Sequence, residues 1–164
     1  MHKINYNNFY QYLVNRLENI CNFDSNKAII FDIDGTIINA KEYEWIDHII
    51  VDPVYFFYRY CMQKNLNIFI ITARSGNKEN IDFTNDKISN KLNLKFNKMF
   101  FRNPLEEDVP KFKQTCRNII KSQGYEVVMS LGDNIWDIGD KGGLGILLKD
   151  LPFDDEIEFD EYIF

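Results

Sequence analysis

Asp32 and Asp34 stand one residue apart in FDIDGTI, directly after the apolar run KAIIF of residues 27–31. An Asp-x-Asp pair by itself carries little, because aspartate is common in turns and surface acids usually only stay hydrated. Here the pair ends an apolar run, Gly35 supplies backbone freedom, and a second acidic group, Asp133 and Asp137 in LGDNIWD, follows another such run, EVVMS. Three or four carboxylates brought to one edge repel strongly, and a hard divalent cation with oxygen ligands relieves that repulsion. Mg²⁺ is the expected ion.

The elements that must position these acids can be read from the spacing of apolar residues. Short β-favouring runs lie at Lys27–Phe31, Leu66–Ile71, Lys98–Phe101, Glu126–Ser130 and Leu144–Leu148. Helices are predicted between them. One spans Pro53–Lys64 with Asp52 as N-cap, one runs roughly from Lys78 to Leu92, and one from Pro110 to Gln123 stops at Gly124. Residues 3–21 place Tyr6, Tyr10, Leu13, Leu17 and Ile20 at helical spacing, an amphipathic helix that packs on the core.

Strands alternating with helices imply right-handed β-α-β units and an α/β fold of three layers with a parallel central sheet. Ligands of such sheets bind beyond the carboxyl ends of the strands, so Asp32, Asp34, Thr72, Asp133 and Asp137 are expected to meet at one site. A single domain over residues 1–164 is expected, with its catalytic core at about 26–153 and an acidic segment at 154–164.

Composition narrows the class. With 164 residues, 45% of them hydrophobic, the chain can bury one core without disulfides. Cys21, Cys61 and Cys116 are too widely spaced for a disulfide framework or a thiolate metal site, which points to a reducing compartment. No signal peptide or membrane-spanning run is visible, so a cytoplasmic protein with no membrane partner is expected. The net charge of −6 arises in residues 150–164, which hold seven acids and no lysine or arginine; the other 18 acids face 19 basic residues. The body is thus nearly neutral and does not exclude an anionic substrate, while the acidic segment reads as solvated surface, with a contact or autoinhibitory segment as the alternative.

AIIFDIDGT resembles the first motif, hhhhDxDGT, of the haloacid dehalogenase (HAD) superfamily of phosphohydrolases. IFIITAR is similar to the second motif, FKQTCRNII to the third and LGDNIWD to the fourth, GDxxxD, all in the family's order. The resemblance covers roughly Asn26–Phe153 and is nearest to the acid phosphatases of the class B and plant vegetative-storage type. Their yKxxxR pattern and Gly-Tyr turn before GDxxxD resemble FKQTCR and GYEVVMSLGDNIWD. The fold it implies is a Rossmann-like HAD core without a large cap.

The resemblance implies a phosphomonoester hydrolase with an aspartyl-phosphate intermediate. Asp32 would be the nucleophile and Asp34 the general acid and base, with Thr72 and a lysine holding the phosphoryl oxygens. Lys113 fits the motif spacing, with Arg117 one helical turn on and Lys111 as the alternative. Asp32, Asp34 through its carbonyl, Asp133 and Asp137 would hold Mg²⁺, and Gly35, Thr36, Ala73, Arg74 and Asn134 would line the substrate.

The residues between Thr36 and Pro53 have room for a hairpin flap rather than a cap domain, so the site is expected to be open to bulky esters unless a partner subunit, as in a homo-oligomer, closes it. Tyr43 and Trp45 on the flap are candidates for stacking, with packing the more usual role of such residues. Arg74 and Arg102 lie just past strand ends, placed for a distal phosphate or for surface ion pairs. Lys87, Lys91, Lys95 and Lys98 form a basic series that suits either a nucleic-acid backbone or a solvated face. The segment DPVYFFYRYCMQKNLNIFIITAR also resembles the phosphatase domain of bacteriophage-type polynucleotide kinase, so a polynucleotide end phosphatase is the rival reading. An inactive binding protein of the same fold is the alternative from another class, opposed by the retention of all the motif residues. A phosphorylated receiver domain is excluded by the Thr-Ala-Arg that ends the second strand, a nucleotide-triphosphate loop by the absence of GxxxxGK[ST], and zinc by the isolation of His2 and His48.

Overall fold

The computed structural model of the protein describes residues 1–39, 49–149 and 156–164. The flap aromatics Tyr43 and Trp45, and His48, lie outside them. The chain enters through a short strand, β1 (His2–Asn5), and only then begins the amphipathic helix, α1 (Tyr6–Ile20), whose first turn is capped by the Asn5 side chain. The expected helix at 3–21 is therefore a strand followed by a helix.

The five parallel strands follow the expected runs closely. β2 (Lys27–Phe31) and β8 (Leu144–Leu148) keep their predicted bounds, while β5 (Asn67–Ser75), β6 (Lys98–Arg102) and β7 (Glu126–Gly132) extend past theirs at the carboxyl end. Helices α2 (Asp52–Gln63), α3 (Lys78–Asn85) and α4 (Val109–Ser122) connect them. α3 runs on into a π-helical turn, Asp86–Lys91. Asp52 is the first helical residue of α2 rather than its cap; its backbone N–H donates to the Tyr6 hydroxyl at 3.0 Å.

With β9 (Glu156–Tyr162), these strands form one sheet in the order β1-β9-β8-β7-β2-β5-β6. The segment β8-β7-β2-β5-β6 is parallel, and β9 and β1 extend it antiparallel. Alternate side chains serve opposite faces. Ile29 and Phe31 of β2 and Ile68 and Ile70 of β5 join α1 and α2, while Ala28, Ile30, Phe69 and Ile71 pack with Cys116 and Ile120 of α4. This is the expected three-layer α/β/α arrangement.

In its described residues, 156–164, the acidic segment is a strand of the sheet rather than solvated surface. β9 pairs with both β8 and β1, and Ile157 and Phe159 are buried in the main core, where Phe159 packs against Phe9, Tyr12 and His2. Its acids meet specific bases: Glu161 accepts from Arg16 at 2.9 and 3.2 Å and from the Tyr12 hydroxyl, and Asp160 pairs with Lys149 at 3.0 Å. The charge count concealed an alternating strand, Glu-Ile-Glu-Phe-Asp.

Between Thr36 and Pro53 the described residues form only a two-stranded ladder, β3 (Ile38–Asn39) with β4 (Ile49–Ile50). Among the described residues no large cap covers the strand ends. Cys21, Cys61 and Cys116 are all free and buried, and among the described residues no helix is long and apolar enough to cross a membrane.

Candidate active site

β2 is the central strand from which the parallel order runs both ways, through β5 on one side and β7 on the other. A crevice forms at the carboxyl ends of strands at such a reversal. Asp32 follows β2 directly, and its backbone N–H continues the ladder to Leu131 O at 3.0 Å, which ties the first acidic loop to β7. Asp133 and Asp137 enter from the end of β7. Oxygens of Asp32, Asp133 and Asp137 all lie within 4.8 Å of one another.

The chain turns sharply after Asp34. Gly35 has φ +78°, and a Cβ there would lie 2.2 Å from Asp133 Oδ2, so no side chain fits between the two acidic loops. Thr36, fully buried, directs its hydroxyl to Asp32 Oδ2 at 3.5 Å.

Lys113, from the first half of α4, reaches into the cluster. Its Nζ donates to Asp32 Oδ1 at 3.0 Å and to Ile71 O at 2.6 Å, and lies 2.7 Å from Asp137 Oδ1. Lys113 is only 2% exposed, whereas Lys111 points to solvent. Asp108 places the helix by capping it, accepting from Lys111 N at 3.0 Å, and Pro110 sits in the first turn. Burial opposes the charge on Lys113, but Asp32 and Asp137 outweigh it and hold its pKa above the ordinary lysine value. Burial, with the carboxylates of Asp137 and Asp133, pushes the Asp32 carboxyl well up against the pull of Lys113.

Asp137 closes the second acidic loop. Its Oδ2 accepts from Asp133 N at 3.1 Å and Asn134 N at 3.0 Å, and the Asn134 amide donates to Asp133 Oδ1 at 3.1 Å. Asp137 thus closes the short turn Ile135–Asp137 on itself, and both carboxylates of the loop converge on Asp32.

The end of β5 supplies Thr72, Ala73 and Arg74. Thr72 is buried, and its hydroxyl accepts from Arg74 N at 3.1 Å. Arg74 turns its guanidinium onto Asp34, donating through Nε at 2.9 Å and Nη2 at 2.7 Å, while Nη1 donates to Thr84 of α3 at 3.1 Å. The pair raises the Arg74 pKa further. Arg102 does not project to solvent for a distal phosphate or a surface ion pair. It staples Ala73 O at 2.9 Å to Glu106 O at 2.6 Å.

Asp32, Asp34, Ala73, Lys113, Asp133, Asn134, Trp136 and Asp137 together line a cavity of about 190 Å³. Trp136 is the residue that motif reading passed over, because it falls among the unspecified positions of GDxxxD. A larger hollow of about 530 Å³ lies between α1 and α2, lined by Tyr6, Tyr10, Phe56 and Tyr60 among others, and holds none of these motif residues. Of the basic series, Lys91 lies 3.9 Å from Asp86 and Lys98 stacks 4.6 Å over the Phe100 ring, so part of it is engaged within the chain.

The donor set fits a hard cation: three carboxylates converge, each an oxygen ligand, and Lys113 offsets only part of their charge.

Residues 46–152 match the family model described as HAD superfamily, subfamily IIIB (Acid phosphatase). That span takes in Thr72, Lys113, Asp133 and Asp137 and begins after the first acidic pair. No curated protein matches the chain. Among solved structures, the class C acid phosphatase from Bacillus anthracis superposes with a TM-score of 0.57 at 19% identity, over 81% of this chain and 63% of that one. A chain from the Pnkp1/Rnl/Hen1 complex superposes with a TM-score of 0.52 at 20% identity, over 66% of this chain and 39% of that one. The chain thus spans less than two thirds of either solved structure, and the likeness is one of fold.

Proposed function

The chain belongs to the HAD superfamily, subfamily IIIB (Acid phosphatase), and from that premise we propose that it is a Mg²⁺-dependent phosphomonoester hydrolase that works through a phosphorylated Asp32. The observation that carries the reading is the convergence of Asp32, Asp133 and Asp137 around Lys113 at the reversal point of the sheet. In this reading Asp32 is the nucleophile, the three carboxylates are the cation site and Lys113 is the buried positive charge beside them.

In this reading an Asp32 carboxylate oxygen attacks phosphorus as the ester P–O bond breaks. Asp34 gives its proton to the departing oxygen. A water then attacks the same phosphorus, Asp34 takes its proton, and the bond to Asp32 breaks to return the carboxylate. Lys113 and Thr72 offset the charge on the phosphoryl oxygens, and backbone groups of Gly35, Thr36, Ala73 and Asn134 line them. Asp32, Asp133, Asp137 and the Asp34 carbonyl would hold Mg²⁺, which when bound supplies further positive charge to those oxygens. Arg74, committed to Asp34 at both oxygens, orients the acid and base rather than meeting a distal phosphate.

Small phosphoesters such as nucleotides are proposed as substrates from the family match, since the cavity itself does not select the ester. At about 190 Å³ it falls below the roughly 300–1,000 Å³ of sites that enclose a whole drug-sized ligand. It holds the phosphoryl group and leaves the rest of the ester outside. A cytoplasmic setting accords with three buried, free thiols.

The test is phosphate release, with and without Mg²⁺, from an aryl phosphate, nucleoside monophosphates, sugar phosphates and oligonucleotides bearing 3′- or 5′-phosphates. Metal-dependent release is expected, with small esters preferred. Preference for an oligonucleotide end would move the assignment to end repair, and a folded, Mg²⁺-binding protein that releases phosphate from no ester would move it to a binding role.

A further inference from the structure

α4 carries two buried cations one turn apart, and only Lys113 meets the carboxylates. Arg117 is 3% exposed and turns instead to the backbone of the acidic loop. Its Nη1 donates to Trp136 O at 2.9 Å and its Nε to Asp140 O at 3.2 Å, so the guanidinium bridges the peptide group just before Asp137 and the one just after Asp140. The third arm, Nη2, donates to Gln114 Oε1 at 2.9 Å, and the Gln114 amide reaches the same Asp140 O at 3.2 Å. The approach is close: a Cβ at Gly139 would lie 3.1 Å from Arg117 Nη2. Burial lowers the pKa of Arg117, as expected for a guanidinium taken out of water to reach these carbonyls.

We propose that Arg117 is a positioning residue for the cation site, holding the loop Asp133–Asp140 so that Asp133 and Asp137 face Asp32. The inference rests on the phosphatase reading above only in taking the acidic cluster as a divalent-cation site. One guanidinium plane fixes the carbonyls of Trp136 and Asp140 at once, and the Asp137 carboxylate between them in turn accepts from Asp133 N and Asn134 N. The chain of contacts therefore runs from α4 to both acids without Arg117 touching either. Lysine, with a compact ammonium on a flexible stem, cannot hold two carbonyls in that fork. Outer contacts of this kind typically change metal affinity by about 10- to 100-fold.

The experiment measures Mg²⁺ binding to the full chain directly, by titration calorimetry, alongside thermal unfolding and phosphate release at saturating Mg²⁺. Arg117→Lys is expected to weaken Mg²⁺ binding about 10- to 100-fold, while KM for an aryl phosphate at saturating metal stays within about twofold. Ser130→Ala is the control, since the Ser130 hydroxyl holds Gly142 O at 2.6 Å beyond the acidic loop. It is expected to lower the unfolding temperature and leave Mg²⁺ affinity unchanged. Methylguanidinium added to Arg117→Ala is expected to restore part of the lost affinity. Unchanged Mg²⁺ affinity in folded Arg117→Lys overturns the inference and leaves the phosphatase reading intact, as does equal loss of affinity in Ser130→Ala. Failure of Arg117→Lys to fold also overturns it, by making Arg117 a residue of the fold alone. Absence of Mg²⁺ binding by the wild type overturns both.

Discussion

Arg74 engages both carboxylate oxygens of Asp34, at 2.9 and 2.7 Å, in a fork-on-fork pair that fixes the plane of the acid as well as its position. Thr84 holds the guanidinium from the other side. In the proposed mechanism Asp34 gives up one of these bonds when it carries a proton, and β5 and α3 hold it beside the cluster until then. Arg74→Lys retains the charge and loses the fork, so kcat is expected to fall roughly 10- to 100-fold with little change in KM. Steady-state kinetics distinguishes this from a substrate contact, which would raise KM.

Asp32→Asn fills the same volume but cannot act as a nucleophile, and it removes one negative charge facing Lys113. Turnover is expected to drop by at least about 10³-fold, with the circular dichroism spectrum unchanged. Wild-type rates in this variant would show that the assigned mechanism is wrong.

Removal of residues 154–164 deletes β9, strips β8 of its outer partner and leaves β1 with none. The truncated chain is expected to lose cooperative unfolding. A milder variant, Phe159→Ala, is expected to cost about 3–5 kcal/mol by denaturant titration, because the ring is 1% exposed and packs on two rings of α1.

Glu161 is expected to make stability depend on acid. Burial raises its pKa, yet the Tyr12 and Arg16 hydrogen bonds outweigh this and leave it below the ordinary value of 4.5. A carboxyl depressed in the folded state contributes stability that is full above its unfolded pKa and is lost as pH falls through its folded pKa. Glu161→Gln should therefore unfold at a lower temperature than wild type near pH 7, and the two curves should converge at strongly acid pH. A gap that persists at acid pH would assign the effect to packing instead.

The parts of the fold that follow from local pattern were legible: β2 and β8 have the bounds their apolar runs predict, and the reversal of strand order brings the acids that follow β2 and β7 together. Motif spacing favours Lys113 with Lys111 as the alternative, and Lys113 is the one of the two that lies buried on the inner side of α4 beside the carboxylates. Arg74 and Arg102 were less legible, because their partners, Asp34 and the Ala73 carbonyl, are distant in the chain and no pattern around an arginine names its acceptor. β9 was misread because seven acids in residues 150–164 masked the period-two placement of Ile157 and Phe159. β1 was merged into α1 because four residues, His2–Asn5, are too few to show a period of their own.

The sheet order also sets a schedule for the chain as it is made. β1 borders only β9, pairing His2 with Phe159 and Asn5 with Glu156. During synthesis from the amino end, residues 2–5 have no strand to join until residues 156–159 have been added, while β2, β5, β6 and β7 can pair in turn. That late contact closes a loop across nearly the whole chain, and such distant pairing slows folding. The Phe9 and Tyr12 rings that Phe159 covers stay open to water for the same interval. The growing chain therefore carries an uncovered aromatic face on α1 until β9 arrives.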